Sequence, residues 1–139
     1  MRATVLNLQT SDTEPAAEIK RRSSNRRDAL IKAAAAIFLS DGFASASMRD
    51  IAAAAGMKAG SIYYHFPSKT DLFIAVHEEG LRLITQSVEE ALVGVEAPWA
   101  RLETACVAHL EALLTGSVIL QAVMRDLPQN FDAGAWRQI

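Results

Sequence analysis

The chain has 139 residues, half of them apolar, and a formal net charge of −2 at pH 7, which is typical of a globular protein with one hydrophobic core and room for a second, smaller one. Its single cysteine excludes an intrachain disulfide framework and a metal site built from cysteines. No stretch is apolar for long enough to predict a signal peptide or a membrane span, so we expect a cytoplasmic protein that makes no membrane contact.

The charge is divided between two parts of the sequence. Residues 20–69 contain nine Lys and Arg against three Asp, a net charge of +6. Residues 70–139 contain four Arg against ten acidic residues, a net charge of −6. Because charges in solution attract one another only over about a Debye length, the sign of each part matters more than the total. The basic part is therefore compatible with a nucleic-acid partner.

We predict a disordered leader over residues 1–23, followed by the first helix. The basic end of the leader, residues 18–22, fits a solvated tail and an arm that touches DNA equally well. Residues 23–25, Ser-Ser-Asn, are candidate N-caps of the helix, and Gly42 is expected to end it. Between these points the apolar residues follow one helical face: Leu30, Ala33, Ala34, Ile37 and Phe38.

The next three helices are bounded by short-range signals. A second helix is predicted from Ser47, where Ser-Met-Arg-Asp is similar to a capping box. Gly56 ends this helix by supplying a positive φ, and Pro67 stops a short third helix. Ser68 repeats the capping pattern and begins a long fourth helix that runs to about Gly94. The second and third helices are therefore separated only by a tight turn.

The third helix has one apolar face and one polar face. Ile62 and Phe66, at i and i+4, form the inner face. Gly60 and Tyr64 then point outward, flanked by a serine and a second tyrosine. An exposed face of small, polar and aromatic residues is poorly explained by packing and well explained by a helix that lies in a DNA groove.

Three linked blocks resemble the DNA-binding domain of the tetracycline-repressor (TetR) family of bacterial transcription regulators: Ala34-x-x-Ile37-Phe38 before Gly42-Phe43, Ser47-Met48-Arg49-Asp50-Ile51-Ala52, and Gly60-Ser61-Ile62-Tyr63-Tyr64-His65-Phe66-x-Ser68-Lys69-x-x-Leu72-Phe73. Linked blocks at consistent spacing are a stronger signal than one short motif. The resemblance implies an all-α protein with a three-helix DNA-binding domain, containing a helix-turn-helix, over residues 24–70. Residues 71–139 would then form the N-terminal part of a helical ligand-binding and dimerisation domain.

Geometry and resemblance together predict ten DNA-binding residues. Ser47 and Arg49, at the start of the second helix, suit a phosphate. Six residues are expected to meet the groove and read the base sequence: Lys58, Ala59, Gly60, Ser61, Tyr63 and Tyr64. The resemblance assigns phosphate contacts to the remaining two, His65 and Lys69. Lys58 departs from the family, in which many members have a small polar cap here, so we expect it to offer a charge to phosphate.

Several of these residues also have a structural alternative. Either tyrosine could be a core aromatic, and the helical wheel favours this more for Tyr63. His65 could be a surface cap, and Arg49 could form an ordinary solvated ion pair with Asp28 or Asp50. A purely structural helical hairpin is the weakest alternative. The solvent face of such a hairpin is usually rich in charged residues, and the exposed face of the third helix is not.

The C-terminal part is predicted to contain two more helices. Pro98 suits the first turn of a fifth helix that ends near residue 115, and a sixth helix runs from Val118 to about Leu127. On the fifth helix, Leu102 shares a face with three candidate ligand-binding residues: Cys106, His109 and Leu113. That face could line an apolar cavity, although a histidine satisfied within the core is the commoner arrangement. The spacing of His and Cys predicts no metal site, and no cofactor is expected.

The combined features predict a ligand-responsive repressor that binds a palindromic operator in double-stranded DNA. The resemblance implies that it acts as a homodimer and that a small apolar or acyl-type effector releases it. The fourth helix is expected to be the only continuous connection between the two halves. An enzyme is not predicted, since no nucleophile with a base, phosphate loop or metal set is visible. The alternative is a helical protein-interaction module without DNA binding, which would explain the acidic half but not residues 47–69.

The predicted dimer needs an interface that this sequence does not supply. Proteins of the family use two late helices to join their subunits. Residues 129–139 are too short and too rich in Asn, Asp and Gly to replace those helices. We therefore expect either a longer natural chain of which these residues are a part, or weak association of the 139-residue chain.

Overall fold

The computed structural model describes residues 16–125, which form six α-helices and no β-strand. The helices are α1 (Ala16–Asp41), α2 (Met48–Ala54), α3 (Ala59–His65), α4 (Lys69–Ala91), α5 (Pro98–Thr115) and α6 (Val118–Arg125). The all-α prediction is confirmed for these residues. Residues 1–15 of the predicted leader and the predicted end of the sixth helix lie outside the described residues.

The predicted start of the first helix is wrong. α1 begins at Ala16, so the candidate caps at residues 23–25 lie inside the helix and the last part of the predicted leader is helical. The Glu18 carboxylate accepts a hydrogen bond from Arg21 at 2.8 Å and pairs with Arg22 at 3.3 Å. These are the i+3 and i+4 spacings that support a helix. Serine and asparagine lower helix propensity by only about 0.5 kcal/mol each, which is too little to interrupt α1.

Glycine and serine set the boundaries of the helix-turn-helix as predicted. Gly42 and Gly56 have φ values of 80° and 69°, which favour glycine, and they follow α1 and α2. The Ser47 hydroxyl accepts a hydrogen bond from the Arg49 backbone N–H at 3.2 Å and so caps α2. α3 ends before Pro67.

One hydrophobic core joins the first four helices. The rings of Phe43 and Phe73 lie 4.9 Å apart between centroids, and Phe38 lies 5.6 and 5.5 Å from them. The other large buried residues of this core are Leu30, Ile31, Met48, Ile51, Ile62, Phe66, Leu72 and Val76. Because Ile62 and Phe66 belong to this core, the rotation of α3 about its own axis is fixed.

The sixth helix connects the C-terminal helices directly to the first. α6 packs against both α1 and α4, and its Ile119 and Ala122 belong to the same core as the helix-turn-helix. At Gly80 in α4, an added Cβ would lie 2.8 Å from Val123 Cγ2, so α4 and α6 meet closely there. The prediction that α4 alone connects the two halves is therefore incomplete.

The predicted inner face of the fifth helix is wrong. The residues of α5 that pack inward, against α4 and α6, are mostly small: Thr104, Ala105, Ala108 and Ala112. Leu102, Cys106 and His109 are exposed, and Leu113 is half-buried at the edge of the contact. Both faces of α5 carry apolar residues, so periodicity alone could not decide which one packs.

Neither a single membrane-spanning helix nor a cluster of metal ligands occurs within residues 16–125. In this range no single helix is long and apolar enough to cross a membrane, and α5 and α6 meet that criterion only as a pair bent by 90°. No three His, Cys, Asp or Glu side chains in the same range are grouped as a metal site would require. His77 is buried in α4, with Nδ1 3.0 Å from the Phe73 carbonyl oxygen.

Candidate DNA-binding site

The outer face of α3 points to solvent because its inner face is buried. Ile62 is fully buried and Phe66 is 3% exposed, whereas Tyr63 and Tyr64 are 56% and 86% exposed. The core alternative for the tyrosines is thus wrong. The other residues predicted to read sequence are exposed too: Lys58, Ala59, Gly60 and Ser61. We call these six residues the reading face.

Two positions on the reading face have no structural explanation within the described chain. An added Cβ at Gly60 would meet no atom within 4 Å, so packing does not require glycine there. Glycine inside a helix costs about 1 kcal/mol relative to alanine. Lys58 occupies the N-cap position of α3 but its side chain makes no capping hydrogen bond. Both features suit a partner that approaches the backbone closely and carries negative charge.

Two of the predicted phosphate contacts, Ser47 and Arg49, lie at the start of α2. Arg49 is exposed, while the half-buried Ser47 uses its hydroxyl to cap the helix. No ion pair between Arg49 and either Asp28 or Asp50 occurs in the part of the chain that the structure describes. The Arg49 guanidinium is therefore in a position to meet a phosphate, and Ser47 orients the helix that carries it.

His65 lies at the C-terminal end of α3. It is half-buried, and its ring centroid is 5.5 Å from that of Tyr64 with the two rings perpendicular. Perpendicular rings at this distance form the edge-to-face contact that aromatic pairs prefer. His65 is thus adjacent to the reading face, and its contact with phosphate stays a prediction.

Lys69 has a role that the sequence analysis did not predict. Its ammonium donates hydrogen bonds to the backbone carbonyls of Phe43, Ala44 and Ala46 at 2.8, 3.0 and 2.9 Å. An ammonium has three N–H donors, so this geometry uses all of them. The predicted direct contact with a phosphate would require breaking at least one of these bonds. In this structure Lys69 fixes the loop between α1 and α2.

The N-terminal part of α1 and the reading face line an open cleft of about 980 Å³, which we call the α1–α3 cleft. Lys58, Ser61 and Tyr64 lie in one wall. The other wall contains six residues of α1: Lys20, Arg22, Ser23, Ser24, Arg26 and Arg27. From the sequence a DNA-touching arm was predicted only at residues 18–22, so Arg26 and Arg27 were not among the candidate residues. A signal was available, because Lys20 and Arg27 lie on the same helical face at a spacing of seven residues.

These elements define a helix-turn-helix DNA-binding domain in which α3 presents its outer face to solvent. The helices α4 and α6 pack against α1. Residues 30–76 match the model of the bacterial regulatory proteins of the TetR family. Residues 30–76 thus form a DNA-binding domain of the TetR family.

Individual relatives extend the similarity beyond the matched domain. The chain is 32% identical over 90 residues to the HTH-type transcriptional repressor KstR2 of Mycolicibacterium smegmatis, an alignment covering 65% of this chain and 44% of that protein. The structure of the superantigen PfiT has a TM-score of 0.72 and 28% identity, covering 81% of this chain and 60% of that one. A gamma-butyrolactone receptor, described as ArpA-like, has a TM-score of 0.63 and 27% identity, covering 76% and 52%. The chain thus spans less than half the length of KstR2.

Proposed function

We propose that this protein is a transcriptional regulator that recognises operator DNA through α3 and represses transcription while bound. The observation that carries the proposal is the contrast within α3 between the buried Ile62 and Tyr64, which is 86% exposed. A protein gains nothing in stability from a large ring held in water, whereas a groove-binding helix needs such a side chain. The name of the relative KstR2 supports repression as the direction of regulation.

The candidate DNA-binding residues are of two kinds: those that would read the base sequence and those that would position the protein on the DNA. Ser61 and the two tyrosines offer hydroxyls to base edges, and tyrosine rings suit the methyl group of thymine. Gly60 lets the α3 backbone approach the groove. Arg49 and Lys58 would neutralise phosphates, which fixes the register of the helix without reading sequence.

Specific binding requires two copies of α3. The helix has seven residues and reaches only a few base pairs, which is too little to distinguish an operator from the rest of a genome. A two-fold dimer would place its recognition helices about 34–36 Å apart, one turn of DNA, or a multiple of it. The apolar faces of α2 and α3 are buried in their own core. We therefore assign the dimer contacts to the chain that follows α4.

Regulation by an effector follows from the contact between α6 and α1. A small apolar or acyl-type molecule that binds among α4–α6 changes DNA affinity only if it prefers one arrangement of these helices. α6 shares the core of the DNA-binding domain through Ile119 and Ala122, so a shift of α6 is transmitted to α1 directly. The similarity to a gamma-butyrolactone receptor supports a small-molecule effector.

Selection of bound sequences from a random DNA pool tests the proposal. The wild-type chain is expected to enrich an inverted repeat whose half-sites lie about one helical turn apart. Tyr64→Ala serves as the matched control and should enrich little or nothing while retaining its fold. Absence of salt-dependent affinity of the wild type for any duplex would reject DNA recognition by α3. Sedimentation of the selected duplex with the chain then gives the number of copies bound.

A protein-interaction module without DNA binding is the second candidate. It is favoured by apolar side chains that α5 exposes, among them Trp99 at 82% and Leu114 at 80%. This alternative predicts no salt-dependent DNA binding. Measuring affinity for any duplex at two salt concentrations separates the two functions, because phosphate contacts make binding strongly salt-dependent.

A further inference from the structure

One face of α1 changes character along its length. Lys20, Ser23, Ser24 and Arg27 follow the spacing i, i+3, i+4, i+7, so they share one face of the helix. From Leu30 onward the buried residues on the same face are all apolar. Its buried members are Leu30, Ile31, Ala34 and Phe38.

The basic part of this face lies outside the segment that matches the family model, which begins at residue 30. α1 has 26 residues, and at 1.5 Å per residue it is about 39 Å long. Its first half therefore projects well beyond the hydrophobic core. If that half served only to extend packing, the stripe would remain apolar. Lysine, arginine and two small serines indicate instead a surface that receives a polar, negatively charged partner.

The α1–α3 cleft is strongly positive. Five cationic side chains line it: Lys20, Arg22, Arg26, Arg27 and Lys58. No carboxylate is among the residues described as lining the cleft. Four of the five cations come from α1, so most of the charge lies on the wall that faces the reading face.

The two walls of the cleft are tied together. The Arg27 guanidinium lies 5.3 Å from the centroid of the Phe66 ring, within the range of a cation–π interaction. Phe66 is buried directly after α3. The orientation of the α1 wall is therefore fixed relative to the helix that carries Tyr64.

We propose that the α1–α3 cleft holds the sugar–phosphate backbone of the same DNA that the reading face contacts, with the N-terminal half of α1 as a sequence-independent anchor. This inference rests on the function proposed above. Lys58, Ser61 and Tyr64 belong both to the reading face and to the cleft wall, so DNA seated on α3 passes along the cleft. A duplex backbone also presents a row of phosphates, which suits cations distributed along a helix better than one small anion does.

The anchor has a measurable signature in the salt dependence of binding. Each phosphate that a protein neutralises contributes about 0.9 to the slope of log affinity against log salt concentration. Contacts to phosphate weaken binding to all sequences about equally when they are removed. Loss of the anchor should therefore lower the slope without altering base preference.

The test uses the double variant Lys20→Gln/Arg26→Gln, which leaves the Glu18 ion pairs and the Arg27 contact intact. The control is Lys32→Gln/Arg101→Gln, which makes the same charge change at exposed positions outside the cleft. Fluorescence anisotropy gives the affinity of each chain for two labelled duplexes from 50 to 200 mM KCl. One duplex carries the sequence selected by the wild type, and the other is a scrambled duplex of equal length.

The cleft variant is expected to show a slope smaller by about two on both duplexes, with the sequence preference unchanged. Across this salt range the wild type should accordingly lose about tenfold more affinity than the variant. The control should keep the wild-type slope, and circular dichroism should show equal helix content. Ser24→Glu, which places a carboxylate in the cleft, should weaken binding to both duplexes as an independent check.

Two results would overturn the anchor. In the first, the cleft variant keeps the wild-type slope on both duplexes, which would leave recognition by α3 standing without the anchor. In the second, the variant binds more tightly, which would make the N-terminal half of α1 an obstacle to DNA. If the wild type itself binds neither duplex in a salt-dependent way, the proposed function fails as well. The wild-type measurement thus separates the two failures.

Discussion

The ammonium of Lys69 donates a hydrogen bond to the Phe43 carbonyl oxygen at 2.8 Å and lies 4.7 Å from the centroid of the Phe43 ring. Phe43 is one of three phenylalanines whose rings contact one another in tilted and edge-to-face geometry, and Lys69 is the first residue of α4. The pair therefore fastens the loop that precedes α2 to the start of the long helix. The position of the helix-turn-helix relative to α4 depends on this contact.

We predict that Lys69→Met lowers the free energy of unfolding. The substitution keeps most of the side-chain length but leaves three backbone carbonyls without a donor, at a cost of about 1–3 kcal/mol. Urea denaturation of the two chains measures the difference. Lys58→Met is the matched control, because Lys58 is exposed and makes no capping bond; it should change stability by no more than about 0.5 kcal/mol. If Lys69→Met instead had wild-type stability and a reduced salt slope of DNA binding, the result would support the original prediction that Lys69 contacts a phosphate.

The contrast between Lys69 and the helix boundaries indicates what a sequence can predict. Gly42, Gly56 and Ser47 act on residues within a few positions of themselves, so their effects could be predicted from local rules. The bonds of Lys69 span 23–26 residues. A contact of that range depends on how the helices are arranged. In the sequence, nothing distinguishes Lys69 from an ordinary surface lysine.

Tyr64→Ala should weaken binding to the selected duplex while leaving thermal stability unchanged. Tyr64 is 86% exposed, so little buried area is lost. Ile62→Ala is the opposite control: Ile62 is fully buried, and truncation should cost about 2–5 kcal/mol of stability. Affinity by anisotropy and melting by circular dichroism report the two effects. A large loss of stability in Tyr64→Ala with full DNA affinity would contradict the assignment.

The orientation of α3 was predictable, but that of α5 was not. Ile62 in α3 and Phe66 directly after it, at i and i+4, are large and apolar, and the opposite face of α3 is polar, so the inner face is unambiguous. In α5 large apolar residues lie outside while alanines such as Ala108 pack inside. Close helix approach favours small residues, and hydrophobic periodicity gives them little weight.

Ser68→Ala should destabilise the protein without changing base preference. The Ser68 hydroxyl accepts a hydrogen bond from the Asp71 backbone N–H at 3.1 Å and donates one to the Asp71 carboxylate at 2.6 Å. Loss of an N-cap of this kind costs about 1 kcal/mol. Ser61→Ala, on the reading face, should show the converse, with unchanged stability and weaker specific binding. The urea midpoint and the affinity for the selected duplex separate the two serines, and equal loss of stability in both would count against the pairing.

Gly60 and Gly80, the two glycines inside helices of residues 16–125, should respond in opposite directions to alanine. At Gly80 the new methyl group would lie 2.8 Å from Val123 Cγ2, so Gly80→Ala is expected to force α4 and α6 apart and lower stability by about 1–3 kcal/mol. At Gly60 an added Cβ would meet no other part of the structure within 4 Å, so Gly60→Ala is expected to raise stability by up to about 1 kcal/mol through helix propensity. The same Gly60 variant should weaken DNA binding, because its methyl group would stand between α3 and the groove.

A double-mutant cycle identifies the cause of the Gly80 effect. Val123→Ala removes the methyl group that the new Cβ would meet, so Gly80→Ala should cost less in that background, with a coupling energy of about 0.5–3 kcal/mol. Equal costs in both backgrounds would show that the α4–α6 contact adjusts freely. In that case α6 could not pass a displacement of α4 to α1, and the proposed route from effector to DNA would lose its mechanical basis. A measured coupling, together with reduced operator affinity in Gly80→Ala, would instead support transmission through α6.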